Sequence, residues 1–186
     1  MGKTKNVSVG KPRVAGSIFL APVGTAVPTS AISKLNEAFK DLGYVSEDGV
    51  TNENTRDSEE IKAWGGDTVL QPQTAKTDTF GMTLIETKNI DVLKAVYGEN
   101  NVTGELSSGI TIKANAQELP YGIWVIDMIM TDGDLKRVVL PNAKITEISE
   151  ISYKDDEATG YEVKITAFPD NEENTHYEYI QSTTSV

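Results

Sequence analysis

Residues 121–130 read YGIWVIDMIM, apolar throughout except for Gly122 and Asp127. A run of this kind suits a central strand buried on both faces. The chain after it keeps the same character. Asp132-Gly133-Asp134 signals a hairpin turn, residues 135–140 return as a strand, and Pro141-Asn142 breaks that strand. Residues 143–153 and 161–168 read as alternating strands joined by a polar turn at 154–160. Upstream, residues 79–87 place Phe80, Met82 and Leu84 on one face and Gly81, Thr83, Ile85 and Thr87 on the other. Residues 17–21 and 110–114 add two shorter strands.

Helical signals are few. Asn89 is a suitable N-cap, Asp91 stands in the first turn, and Ile90, Leu93, Val96 and Tyr97 form an apolar stripe. Gly98 follows where a left-handed C-cap is needed. A second, shorter helix is expected from Ser30, with Ile32, Leu35, Phe39 and Leu42 at helical spacing and Gly43 as its stop. The pattern as a whole predicts a mainly β fold, a sandwich or barrel with one flanking helix over about residues 90–97.

The domain plan has three parts. Residues 1–15 are rich in small polar residues, Gly and Pro, and read as an N-terminal arm. Residues 16–169 form the β domain, interrupted by a long loop over about 45–78. Residues 170–186 are acidic and amide-rich and read as a C-terminal arm. The polar half of the loop ends at Trp64-Gly65-Gly66, where Trp64 is either a packing residue or an anchor for a partner's pocket.

Composition narrows the chemistry. With 28 acidic residues against 17 basic ones, the net charge is −11, which opposes binding to a phosphate backbone. There is no cysteine, so disulfides, thiolate catalysis and Cys-ligated zinc are excluded. No apolar run reaches the length of a membrane span, and no apolar h-region opens the sequence, so neither a membrane anchor nor a signal peptide is expected. The single histidine, His176, lies in an acidic stretch without a nucleophile nearby. The tight acidic groups Asp132-Gly133-Asp134 and Asp155-Asp156-Glu157 match no calcium-loop pattern. Asp127 interrupts the most apolar strand, so it either faces solvent or a central channel, or pairs with a Lys or Arg. No catalytic residue, cofactor or metal is expected.

Several ordered segments carry a family resemblance. They are Ala21-Pro22-Val23-Gly24-Thr25, residues 41–49 (DLGYVSEDG), Ile61-Lys62-Ala63-Trp64-Gly65-Gly66, Thr77-Asp78-Thr79-Phe80, residues 93–98 (LKAVYG) and Thr159-Gly160-Tyr161-Glu162-Val163. None is specific alone. In this order and spacing, across about residues 16–170, they resemble the major tail protein, or tail tube subunit, of long-tailed, non-contractile bacteriophages, closest to those of Gram-positive hosts.

That resemblance implies a β-sandwich tail tube fold and a virion protein, assembled in the host cytoplasm. It implies hexameric rings stacked into a tube around a tape measure protein, with tail terminator and distal tail proteins as further partners. Genomic DNA would pass through without specific binding. On this reading Val45, Glu47, Asp48, Ile61, Trp64, Gly65 and Gly66 are candidates for inter-subunit contact, and Asp127, Glu147 and Glu150 for the lumen wall. A virion-associated β-sandwich that binds a surface or glycan is the alternative, although the few aromatics are scattered through strands. A hydrolase built on Asp127 ranks last, because no motif supports it.

Overall fold

The computed structural model describes residues 2–13 and 17–183. In chain order the strands are β1 (Lys11–Pro12), β2 (Ile18–Pro22), β3 (Lys40–Asp41), β4 (Val45–Ser58), β5 (Ile61–Lys62), β6 (Thr68–Leu70) and β7 (Gln73–Leu84). Helix α1 (Ile90–Tyr97) follows, then β8 (Val102–Glu105), β9 (Gly109–Ile112), β10 (Gly122–Ile129), β11 (Leu135–Ile148), β12 (Tyr161–Ala167) and β13 (Tyr177–Gln181). The main sheet runs β3-β2-β10-β11-β12-β7-β4, with β1 also on β10 and β13 also on β11. All its ladders are antiparallel. The β5–β6 and β8–β9 hairpins stand apart from it.

The apolar run at 121–130 is the strand it predicts. Trp124 and Ile126 lie opposite Leu140 and Val138 on β11 and join the main core, where α1 contributes Val92, Leu93 and Val96. Ile123 and Val125 point to the other face and pack with Ala21, Phe39 and Val139 in a second cluster. Burial on both faces removes any need for polar alternation. On β12 only one face is buried, and there the alternation is clean: Tyr161, Val163, Ile165 and Ala167 inward, Glu162 and Lys164 outward.

Pro141-Asn142 does not end β11. The register shifts from Trp124↔Leu140 to Gly122↔Ala143, so Pro141 and Asn142 fall within a bulge. A bulge leaves a residue without a ladder donor, which is where a strand tolerates proline. Beyond the bulge β11 changes partners: β13 lies along its first part, and β12 pairs with residues from Ala143 onward.

Helix α1 is built from its caps. The Asn89 Oδ1 accepts the Asp91 amide at 3.0 Å. At the far end the Gly98 amide reaches the Lys94 carbonyl at 2.9 Å, with Gly98 at φ 96° and ψ 143°. That backbone is positive in φ but not left-handed helical, and it favours glycine all the same.

The helix expected from Ser30 is absent; residues 31–39 form bends and turns. Local side chains take the backbone groups a helix would use. The Ser30 hydroxyl accepts the amides of Ile32 and Ser33, and the Asn36 side chain accepts the Ala38 amide. The apolar residues at helical spacing divide instead between clusters, Phe39 and Leu35 in the second and Leu42 in the first.

The segment expected as a C-terminal arm is largely docked. Asp170 Oδ1 accepts the amides of Glu172 and Asn174, which closes a turn, and β13 then pairs with residues 135–139 of β11. At the other end β1 pairs with Met128 and Ile129. The expected boundary between residues 15 and 16 lies outside the described residues, as do residues 184–186.

Candidate assembly surface

The ladder between β4 and β7 runs from Val45↔Leu84 to Ser58↔Gln73. Its inner part belongs to the body, where Phe80, Met82 and Leu84 are buried. Its outer part leaves the body altogether: every residue from 51 to 77 is exposed. The long loop expected from sequence is therefore a projecting β-hairpin. At a strand rise of about 3.3 Å per residue, the stretch 51–58 carries the ladder roughly 25 Å outward.

The sequence hides this strand because both its faces meet solvent. With no core to face, VTNENTRDS carries no apolar alternation. Pairing holds it instead, including Thr55 opposite Thr77 and Glu53 opposite Thr79. Arg56 faces Lys76, a like-charge pair that weakens the ladder slightly.

At the tip, β5 and β6 pair, and the Ala63 amide donates to the Asp67 carbonyl at 2.8 Å. Gly65 and Gly66 take φ values of 120° and 101° in the turn between them. Trp64 has 107% relative exposure, so it touches no wall of its own subunit. Ile61, Val69 and Leu70 are exposed around it. Val69 and Leu70 escaped the sequence reading; their signal is the apolar TVL run beyond the Gly pair.

The base of the hairpin is pinned by a buried carboxylate. Asp78 on β7 is 1% exposed and receives the Thr175 hydroxyl at 2.5 Å, the Asn52 amide at 2.8 Å and a contact from His176 Nδ1 at 2.6 Å. His176, placed in a free segment by the sequence reading, thus stands edge-on to Phe80 and joins the turn before β13 to the root of the arm. Burial by itself would raise the Asp78 carboxyl. The hydrogen bonds from Thr175, Asn52 and His176, with the His176 charge, outweigh it and hold the carboxyl below its ordinary 3.8. A depressed carboxylate stabilises the fold above its unfolded pKa and loses that contribution as pH falls through its folded value. The stability gap between wild type and Asp78→Asn, followed by urea denaturation, is therefore expected to narrow below pH 3.8. A gap that widens as the pH falls below 3.8 contradicts this assignment.

The other candidates fall elsewhere. Val45 is half-buried at the root of the arm, with Glu47 and Asp48 exposed in the register shift between Val45 and Val50. Ile61, Trp64, Gly65 and Gly66 are together at the tip, an arm's length away. Glu147 and Glu150 are exposed, Glu147 opposite Lys164 of β12 and Glu150 just beyond β11. Asp127 is not on the surface. It is 4% exposed and binds Arg137 through two contacts, Nε to Oδ1 at 2.6 Å and Nη2 to Oδ2 at 2.8 Å. Its charge is neutralised inside the subunit, the Lys-or-Arg pairing that the apolar strand allowed.

A mainly β body carrying a projecting, apolar-tipped arm with nothing of its own to bury against has the construction of a structural assembly subunit. The sequence profile of the phage tail tube protein family matches residues 9–186. The chain belongs to that family, and its role is a structural one in the tail tube of the virion. No curated protein matches the chain.

Proposed function

We propose that this subunit forms hexameric rings that stack into the tail tube of a long-tailed, non-contractile phage of a Gram-positive host. The observation that carries the proposal is the arm: residues 51–77 are exposed throughout and end in the fully exposed Trp64. Such a tip costs solvation until a neighbour covers it, and in a tube every neighbour is another copy. Strands β3 and β4 end the sheet order, so each subunit presents two unlike edges, which suits a head-to-tail ring. The contact residues are Ile61, Trp64, Gly65 and Gly66 at the tip, with Val45, Glu47 and Asp48 at the root.

The tube would grow around a tape measure protein in the host cytoplasm, closed by terminator and distal tail proteins. The genome would later pass along its lumen. A net charge of −11 favours passage over adhesion, and Glu147 and Glu150 are the exposed acids proposed for the wall. Negative-stain microscopy of the purified protein tests this reading. Tubes or stacked rings are expected; a protein that stays monomeric at high concentration, with and without nucleating tail components, overturns it.

Shortening the arm separates folding from assembly. Thr55 and Thr77 face each other, so an Asn-Gly turn in place of residues 56–76 closes the ladder there. The shortened chain is expected to melt as the wild type does while forming no stacked rings. Loss of native circular dichroism would show that the arm belongs to the core after all.

A further inference from the structure

A groove of about 480 Å³ opens on the body between α1, β2 and the segment leading into β10. Its floor is apolar, with Leu20, Ala95, Leu119 and Trp124, and Lys40 and Glu99 stand among its lining residues. We infer that this groove receives Trp64 from the arm tip of a second copy of the chain. The inference rests on the tube reading above and names the surface on which the arm ends.

The shapes and chemistry match. A groove of this size takes an indole with an aliphatic neighbour, and the tip offers Trp64 beside Ile61, Val69 and Leu70. The charges match as well. Lys40 makes no ion pair among the described residues, and on the tip neither Glu59 nor Asp67 makes one. Lys94 on the groove is already held by Glu99 at 2.6 Å. Of the lining charges that leaves Lys40 and Asp91 with no ion pair among the described residues, and Lys40 is the one that can meet the incoming acid.

The arm cannot serve its own groove. The tip, the small β5–β6 sheet, stands beyond a β4–β7 ladder that carries it roughly 25 Å outward, and bending the arm back to the body would break that pairing. The groove lies on the body, lined by residues of β2 and β3, whereas the tip lies beyond the outer, fully exposed part of the β4–β7 ladder. The contact is thus head-to-tail, each copy giving a tip and receiving one, which propagates rather than closing as a dimer.

Two variants test it in the full-length protein, assembly being followed by sedimentation and microscopy. Ala95→Arg puts a charge into the groove from a half-buried position of α1, its melting temperature checking that the fold is kept, and Trp64→Ala removes the indole from a fully exposed tip. Each alone is expected to keep the wild-type melting temperature and to cut assembly at least tenfold. Mixed together they are expected to form pairs of rings that stack no further, because one brings an intact tip and the other an intact groove. If wild type assembles and Trp64→Ala does not, but Ala95→Arg assembles normally, the tip seats elsewhere and the groove assignment is overturned while the tube reading stands. If both variants assemble like wild type, the contact itself is excluded. If wild type never assembles, it is the tube reading that fails.

Discussion

Arg137→Ala is expected to destabilise the subunit by about 3–5 kcal/mol, the usual range for removing one partner of a buried ion pair. Arg137 is 1% exposed and binds both oxygens of Asp127. Its Nη1 also donates to the carbonyls of Ser30 and Ser33, at 3.0 and 2.8 Å. Without it the Asp127 carboxylate keeps only Arg13, a partner 3.3 Å away with a side chain 42% exposed, and two carbonyls lose their donor. Arg137→Lys is expected to recover little, since an ammonium cannot fork across a carboxylate and still reach the serine carbonyls. Urea denaturation checks both, as a lower midpoint at unchanged slope. A loss below about 1 kcal/mol for Arg137→Ala would mean that Arg13 or water compensates, against the burial seen here.

Leu93→Ala carries the second large effect, a loss of about 2–5 kcal/mol. Leu93 is 2% exposed in the main core, flanked on α1 by Val92 and Val96. Truncation removes the transfer free energy of the isobutyl group and leaves a void that a helix clamped by Asn89 and Gly98 fills poorly. Alanine is itself a good helix former, so propensity does not confound the result. An unchanged melting temperature would place the α1 stripe outside the core.

What the sequence made legible follows from where burial makes a pattern. The double-sided burial of β10, the alternation of β12 and the caps of α1 all leave marks in residue order, and all three elements stand where those marks put them. Legibility failed where pairing alone holds the structure. β4 has solvent on both faces from residue 51 to 58, so its polar sequence looked like a loop. The turns after Ser30 misled for the opposite reason: apolar spacing was present, but serine and asparagine side chains captured the backbone first. The tip was legible in part, through Trp64 and the Gly pair. The groove was not, because its walls come from segments far apart in the chain that only the fold brings together.

Strand β7 is one uninterrupted strand, outside the body at Gln73 and inside the core by Phe80. The ladder bonds on it lie across the strand axis. A load applied to the tip along that axis pulls both strands of the arm the same way and therefore shears the bonds from β7 to β12 at once. A load across the axis would peel them one at a time. The arm is thus strong in tension along its length and weak in bending, so its mechanical service depends on the direction from which a neighbour pulls.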